Sequence, residues 1–131
     1  MRRRIESARV AHLATVSETG APHVVAICFA LEGDTLYFAV DSKPKRTREL
    51  KRLRNIAVHP EVSVLVDHYE EDWQHLWWVR LDGEARVVEA GPEFQHALEV
   101  LMDRYPQYVR ARPAGPVVAM RVRRTSGWSA S

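Results

Sequence analysis

The chain is poor in cysteine and contains no long hydrophobic run. Cys28 is its single cysteine, which excludes an internal disulfide and leaves no cysteine pair with metal-site spacing. No apolar segment reaches the roughly 20 residues that a membrane helix needs. The arginines at residues 2–4 precede neither an apolar stretch of signal-peptide length nor a cleavage site. We therefore expect a cytoplasmic protein without membrane segments, with Cys28 packed in its core.

Several catalytic signatures are also missing. The 6 histidines show no HExxH or paired spacing, so no metal site is expected. No serine lies in a nucleophile elbow or a Ser-His-Asp context, and the catalytic residues stay unknown. His68, beside Tyr69, could approach a substrate, although a structural or surface role is the commoner one for a single histidine. The net charge of +2 is too small to indicate nucleic acid by itself.

Length and composition indicate one ordinary globular domain. The 131 residues suffice for a single core, and 46% of them are hydrophobic against 27% charged. Apolar patterning and turn signals predict strands at residues 12–17, 23–33, 35–40, 61–69, 76–89 and 116–124. Three- and four-residue spacing predicts helices at residues 2–11, 46–58 and 92–104.

These elements predict a mainly β domain, a small antiparallel barrel with two or three helices. The first three strands are close enough in sequence to form a meander, and the second is apolar on both faces, as in a strand covered on both sides. Asp82-Gly83 indicates a bulge or bend in the long fifth strand. Residues 125–131 are interpreted as a polar tail.

All 3 lysines of the chain lie within residues 41–55, together with 4 arginines. The helix predicted from residue 46 has an apolar side formed by Leu50, Leu53, Ile56 and Ala57, and the rest is cationic. A helix start with unpaired N–H groups and nearby cations is a favourable site for a phosphate. The alternative, a solvated charged face, is equally common on composition alone.

The tryptophans suggest a ligand surface. Trp77 and Trp78 are adjacent on a predicted strand, so their side chains point to opposite faces. One of them is expected to pack in the barrel while the other faces a ligand or partner, unless both are core or interface anchors. Arg80, two residues after Trp78, is expected on the same side as Trp78.

The order of these elements resembles the pyridoxamine 5′-phosphate oxidase-like split barrels. The segment "PKRTREL" (residues 44–50) takes the place of the family's basic segment after the third strand, and "WVRLDG" (residues 78–83) resembles its fifth-strand motif. The resemblance implies an FMN-binding split barrel in which the basic pair, Lys45 and Arg46, holds a cofactor phosphate and the motif strand lies beside the rings. The apolar "LYFAV" on the third strand departs from the vitamin B6 oxidases, so that activity is not expected.

The long basic helix and the terminal "SGW" resemble the branch that uses the deazaflavin coenzyme F420. F420 carries a phosphodiester and a polyglutamate tail, which several cations over three helical turns suit better than one compact phosphate. The resemblance implies hydride transfer between F420 and a small organic acceptor. The implied cofactor-binding residues are Ser42, Lys43, Lys45, Arg46, Arg52, Arg54, Trp78, Arg80 and Trp128.

Two other functions stay open: an FMN-binding oxidoreductase, and a non-catalytic module that binds anions or nucleic acid. The sequence interleaves no aromatic and basic residues within one strand, which disfavours nucleic acid as a partner. The resemblance also implies a homodimer with the cofactor groove at the subunit interface, and apolar strands with 4 tryptophans are consistent with a covered face.

Overall fold

The computed structural model describes residues 2–40 and 46–131, with only the backbone described at residues 46–50. Seven strands form one sheet: β1 (Ala11–Val16), β2 (Pro22–Ile27), β3 (Ala30–Glu32), β4 (Thr35–Ala39), β5 (Glu61–His68), β6 (Trp77–Val88) and β7 (Val117–Ser129). The helices are α1 (Arg2–Ser7), α2 (Arg46–Val58), α3 (Pro92–Arg104) and α4 (Pro106–Arg110), and a 3₁₀ turn covers Trp73–His75.

The strands lie in the order β2-β1-β5-β6-β7-β4-β3, and every neighbouring pair is antiparallel. The two edge strands, β2 and β3, are separated by only Cys28 and Phe29, so the sheet must curl until its edges meet. The inner face encloses a core that includes Leu13, Phe38 and Met120, all fully buried. The mainly β split barrel expected from the sequence is therefore confirmed.

Tyr105 lies where the two edges of the sheet meet. Its hydroxyl accepts a hydrogen bond from the N–H of Phe29 at 2.9 Å, and it lies 2.8 Å from the carbonyl oxygen of Phe29 and 2.9 Å from that of Arg9. The guanidinium of Arg104 stacks 4.7 Å from the ring centroid of Phe29. Because Phe29 sits between two strands that do not pair, these contacts replace the ladder bonds that its backbone lacks.

Four predictions about the β2 region are wrong. Residues 23–33 form two strands, and the first three predicted strands make no meander, since β2 and β3 lie at opposite edges of the sheet. The outer side of β2 is open, with Val24 62% exposed, so the strand is not covered on both faces. Cys28 is exposed rather than packed in the core, because it lies at the bend between β2 and β3.

Both longer helices begin and end where the sequence predicts. On α2, Ile56 is buried and Leu53 packs against the core, but Ala57 is exposed, contrary to the prediction. Asn55 is buried instead, and its side-chain amide donates to the hydroxyl of Thr15 on β1 at 3.2 Å. The apolar pattern could not predict Asn55 on the buried side, because its side chain is polar. The hydrogen bond offsets the cost of burying it. Residue 50, also predicted on this side, lies outside the side chains described.

The remaining differences concern the chain ends and α4. The first helix ends at Ser7, and Ala11 already belongs to β1. The predicted polar tail instead continues β7 to Ser129, since β6 offers it a partner along its whole length. Helix α4 was not predicted, and the sheet has one strand more than expected.

A bulge between β6 and β7 fixes the register in which these two strands pair. Asp82 pairs with Arg124 while Gly83 pairs with Val122, so β7 contains one extra residue here. A Cβ on Gly83 would lie 2.0 Å from the carbonyl oxygen of Arg121, a backbone atom that no rotamer change can move. The glycine of "WVRLDG" is therefore required by the close approach of two strands.

We expect Gly83→Ala to destabilise the fold by about 3 kcal/mol or more, because the added methyl must displace the backbone of β7. Thermal unfolding followed by circular dichroism measures the loss. Gly20→Ala is the matched control: Gly20 has a φ of 85° in an open turn where nothing lies within 4 Å, so only the left-handed conformation costs about 1–2 kcal/mol. Equal losses in the two variants would contradict a steric role for Gly83.

Helix α3 is tied to the sheet by an ion pair that responds to pH. His96 on α3 contacts the carboxylate of Glu32 on β3, and the ring edge of Tyr37 meets the imidazole at 6.3 Å. The hydrogen bond to Glu32, then the charge of Glu32, raises the pKa of His96. A folded-state pKa above the unfolded value means that the stabilisation is complete below the unfolded pKa and is lost as the pH rises through the folded pKa.

We therefore expect the melting temperature of the wild type to fall, relative to His96→Gln, as the pH rises above about 6.5. Glu32→Gln should remove the same pH-dependent difference, because it deletes the partner that holds the proton on His96. Melting curves at a series of pH values measure this difference. If the melting temperatures of the wild type and both variants changed in parallel with pH, the pair would not contribute to the pH dependence of stability.

Candidate functional site

The outer face of the sheet carries an apolar groove that spans β2, β1, β5, β6 and β7. A cavity of about 600 Å³ lies there, and Val24, Ala14 and Leu65 form its aliphatic part. Val24 is 62% exposed and Leu65 37% exposed, so nothing in the described part of the chain covers this surface. A concave, mostly apolar surface with a few polar groups is the usual composition of a site for an organic ligand.

The alternation along β6 turns one tryptophan inward and the next outward. Trp77 is half-buried and packs against the core, where the guanidinium of Arg4 lies 5.7 Å from its ring centroid. Trp78 is 36% exposed and lines the groove. The sequence-based expectation that the two indoles point to opposite faces is confirmed.

Trp128 on β7 lies directly opposite Trp78 in the strand register. It is 48% exposed and also lines the groove. Opposed residues of an antiparallel pair have neighbouring side chains, so the two indoles form one aromatic wall. This wall depends on the extension of β7 beyond Arg124, the segment interpreted from the sequence as a tail.

Arg80 supplies a cation to the groove. It lines the same cavity as Trp78, and its Nε lies 3.3 Å from the carboxylate of Asp82. Asp82 in turn accepts a hydrogen bond of 2.6 Å from the hydroxyl of Ser63 on β5. The three side chains share the outer face, and the bond from Ser63 and the ion pair fix the direction of the guanidinium. The expected position of Arg80 on the side of Trp78 is confirmed.

The far end of the groove is lined by His68 and Tyr69, and the acidic corner follows them in the chain. His68 ends β5, opposite Trp77 in the register, and its imidazole stacks on that indole with centroids 6.3 Å apart and an angle of 17°. Its Nε2 lies 2.7 Å from Oε1 of Glu70. The other oxygen of Glu70 lies 3.2 Å from Nδ1 of His75.

The carboxylate of Glu70 thus bridges two imidazoles. Hydrogen bonds from His68 and then from His75 lower the pKa of Glu70. The bond to Glu70, followed by the charge of Asp72 at 3.5 Å, raises the pKa of His75. Asp72 is itself fixed because its carboxylate accepts the N–H of Gln74 and so caps the 3₁₀ turn. The corner therefore holds an ionised carboxylate against two imidazoles at the groove's end.

The basic helix lies elsewhere on the chain. Lys51, Arg54 and Asn55 line a separate cavity of about 570 Å³ together with the turn that contains Ser17 and Thr19. Among the described residues this cavity shares no lining residue with the groove. Arg52, one of the residues expected to bind the cofactor, is half-buried, whereas Arg54 is exposed. Among the described side chains of α2, Lys51 and Arg54 therefore lie at a different cavity from the tryptophan wall.

Of the residues that the sequence indicated for a cofactor, the structure brings three together: Trp78, Arg80 and Trp128. Ser42, Lys43 and Lys45 lie outside the described residues, as does the side chain of Arg46. The sequence reasoning missed the aliphatic part of the groove and the outward position of Leu65. The apolar alternation of residues 61–69 could have indicated Leu65, since it is out of phase with Val62, Val64 and Val66.

Comparisons with known proteins show the family of this barrel. The family model described as pyridoxamine 5′-phosphate oxidase matches residues 1–129. The chain belongs to this family. A comparison with curated proteins gives no match. The predicted membership of the pyridoxamine 5′-phosphate oxidase-like split barrels is thereby confirmed, while the deazaflavin branch stays a prediction.

Solved structures share the fold of this family member at low identity. The conserved hypothetical protein Rv2991 from Mycobacterium tuberculosis is 23% identical with a TM-score of 0.73, and the match covers 98% of this chain and 81% of that one. The heme storage protein HutZ from Vibrio cholerae is 16% identical with a TM-score of 0.74, over 98% and 90% of the two chains. A heme-binding protein from Mycobacterium smegmatis is 21% identical with a TM-score of 0.72, over 98% and 56%.

The described residues contain no group of three or more histidine, cysteine, aspartate or glutamate side chains suited to a metal ion. None of the helices in the described ranges combines the length and apolar character of a membrane span.

Proposed function

We propose that this split barrel binds coenzyme F420 and transfers hydride between it and a small organic acceptor. The observation that carries the proposal is the groove, in which an aromatic wall, an aliphatic floor and one oriented arginine share the outer face of the sheet. The family membership supports an oxidoreductase with a flavin-type cofactor. When bound, F420 supplies the hydride chemistry, and the protein supplies position and shielding from water.

The residues of the groove fit a tricyclic ring system. Trp78 and Trp128 offer flat faces for stacking, and a cavity of about 600 Å³ has room for three fused rings. Arg80, held by Asp82, offers N–H donors to the polar edge of the rings. The apolar floor excludes water from the side on which the rings would lie. The open side of the groove leaves room for the acceptor.

The position of the basic helix favours a homodimer. F420 needs cations for its phosphodiester and polyglutamate tail, yet Arg54 and Lys51 face a different cavity from the tryptophan wall of the same chain. A second copy seated on the exposed apolar face around Leu65 would cover that face and could bring its own basic helix to the groove. We propose that the cofactor groove lies at such an interface, with Lys45, Arg46, Arg52 and Arg54 on the tail.

FMN is the alternative cofactor, because it has the same three-ring shape with a single compact phosphate. The spread of cations along α2 supports F420, since Arg52 and Arg54 lie beyond the first helical turn, where only a longer anion reaches.

Heme is a second candidate ligand, supported by two imidazoles in the groove, those of His12 and His68. Structural neighbours are described as a heme storage protein and a heme-binding protein, although at 16% and 21% identity. A porphyrin would also use the apolar floor. The two propionates of a porphyrin could use only a few cations of the basic helix. For this reason we place F420 first.

Side-by-side titrations of F420, FMN and hemin into the purified protein test the cofactor. We expect F420 to bind most tightly and Lys45→Ala with Arg46→Ala to weaken it tenfold or much more, because each charge-assisted contact contributes roughly 1.5–3 kcal/mol. Trp78→Ala should weaken F420 and FMN alike, by about tenfold, through lost stacking. Arg54→Ala should weaken F420 more than FMN. Quenching of cofactor fluorescence measures the affinities of F420 and FMN, and the change in the main absorption band of the porphyrin measures that of hemin.

The control in this series is Arg110→Ala, since Arg110 is an exposed cation on α4, outside the groove and the basic helix. A folded double variant at Lys45 and Arg46 with unchanged F420 affinity would refute the role of the basic tract. Tight hemin binding with a histidine-ligated spectrum, lost in His68→Ala or His12→Ala, would favour the heme candidate instead.

Light scattering at micromolar concentration tests the proposed homodimer. We expect about twice the chain mass of 15.0 kDa, and we expect Leu65→Lys to give monomers, because a lysine there puts a charge in the middle of the apolar face. Val109→Lys is the matched control, since Val109 is 65% exposed but lies away from the sheet, in the α4 helix. A wild type of single-chain mass would contradict the shared groove.

A further inference from the structure

We propose that the acidic corner of one copy docks against the exposed cations of helix α2 in a second copy, so that charge sets the orientation of the homodimer. The acidic corner is the segment of residues 70–75, which follows Tyr69 after β5. The inference rests on the homodimer proposed above and adds to it the two surfaces that meet. Two regions of opposite charge, kept apart within one chain, carry it.

The acidic corner exposes a tryptophan beside an exposed tyrosine and a free carboxylate. Tyr69 is 68% exposed and Trp73 67% exposed, and the indole Nε1 donates to the hydroxyl of Tyr69 at 3.3 Å. Glu71, between them in the chain, is exposed and forms no hydrogen bond or ion pair with the described residues. Exposed tryptophan and tyrosine side chains are enriched at protein interfaces, where they are frequent binding hot spots.

The shape of the corner is fixed by contacts within the chain. The carboxylate of Asp72 accepts the N–H of Gln74 at 3.1 Å and so caps the 3₁₀ turn. The carboxylate of Glu70 bridges the imidazoles of His68 and His75. A surface that is ordered before it binds loses little conformational entropy on association. The corner therefore suits a contact with another protein surface.

The exposed cations of α2 form the complementary surface. Lys51 and Arg54 are exposed and line a cavity beside the turn between β1 and β2. Glu18 of that turn is the one carboxylate among the described lining residues, and none of the three charges forms an ion pair within the described part of the chain. The cavity therefore keeps a net positive charge that can attract an acidic partner.

Strand β5 separates the two regions. It begins at Glu61, soon after α2 ends, and finishes at His68, next to the corner. The turn beside Arg54 lies at the Glu61 end as well, because β1 runs antiparallel to β5 with Ala14 opposite Ser63. At about 3.3 Å per residue, β5 is roughly 23 Å long. This length exceeds the Debye length of about 8 Å at physiological salt, so the two regions do not neutralise each other within one chain.

A two-fold axis brings the two regions together. If the axis lies between two facing sheets and crosses β5 near Leu65, perpendicular to the strands, the partner's strands run in the opposite direction. The α2 end of each copy then faces the acidic corner of the other, and the contact forms twice. An axis parallel to the strands would place corner against corner, which like-charge repulsion disfavours. Leu65 is 37% exposed, so the same arrangement covers apolar surface.

Charge reversal tests the contact in the protein without cofactor. We expect Glu71→Arg, and separately Lys51→Glu with Arg54→Glu, to raise the dimer dissociation constant about tenfold or more, since each variant loses attraction at both contacts. Trp73→Ala should have an effect of similar size, because it removes the aromatic anchor. Analytical ultracentrifugation over a concentration series measures the dissociation constant.

The matched controls reverse exposed charges on the helices away from this surface. Glu99→Arg on α3 and Arg110→Glu on α4 should leave the dissociation constant within about twofold of the wild type.

Mixing the corner variant with the helix variant gives a sharper test. In a heterodimer of Glu71→Arg with the chain that carries Lys51→Glu and Arg54→Glu, one of the two contacts joins an unchanged corner to an unchanged helix. Each variant homodimer has no such contact. We therefore expect the heterodimer to be more stable than either homodimer by about tenfold. Native mass spectrometry of the mixture measures the proportions of the three dimers.

The outcomes separate this contact from the proposed function. If the wild type dimerises and the charge reversals leave its dissociation constant unchanged, the second copy is not the occupant of the corner and this inference is overturned. A statistical mixture of the three dimers would overturn it too. A wild type that stays monomeric contradicts the homodimer and this contact together. A dimer that shows the expected charge effects but binds no F420 refutes the cofactor and leaves the contact intact.

Discussion

The structure depends on the pairing of β6 with β7 along its whole length and with β5 over residues 77–84. The described core and the groove lie on opposite faces of β6, a strand of twelve residues. Strict alternation decides which side chains enter each face, so Val79 and Leu81 fill the barrel while Trp78 and Arg80 are left outside. A slip of one residue would exchange the two sets.

The glycine at the bulge protects that register. Where the two strands come closest, Gly83 leaves room for the carbonyl of Arg121, and the extra residue in β7 is accommodated beside it. The bulge lies next to Asp82, which is held by Ser63 and in turn orients Arg80. A feature that is necessary for strand packing therefore also fixes the only arginine that the described residues bring to the aromatic wall.

Charge is segregated on this barrel in a way that suits an extended anionic ligand shared by two chains. The cations of α2 at Lys51 and Arg54 flank one cavity, while the tryptophan wall and the corner of Glu70, His68 and His75 flank another. Within one chain these regions stay apart. In the dimer proposed above, a second copy would cover this apolar face and could bring its basic helix to the groove.

The sequence was informative where local periodicity is strong and uninformative where partners are distant. Spacings of three and four residues gave the limits of α2 and α3, because helical hydrogen bonds are local. The path of residues 23–33 was predicted wrongly, since a continuous apolar run does not reveal a bend. At this bend the N–H of Phe29 donates to the hydroxyl of Tyr105, which lies 76 residues away in the sequence. Asn55 was missed for the same reason: its partner Thr15 lies on another element.

What the sequence determined by itself was the class of domain, the basic helix and the opposition of Trp77 and Trp78, all of which follow from patterns within a few residues. The family resemblance implied a cofactor role for Trp128, but only the tertiary structure placed it opposite Trp78, because the polar segment after Arg124 is a strand only when β6 pairs with it. It also decided that His68, which lines the groove, meets Glu70 and His75, while Lys51 and Arg54 of α2 line a separate cavity. Those placements depend on strand register and on the curl of the sheet, which are set by contacts between residues far apart in the chain.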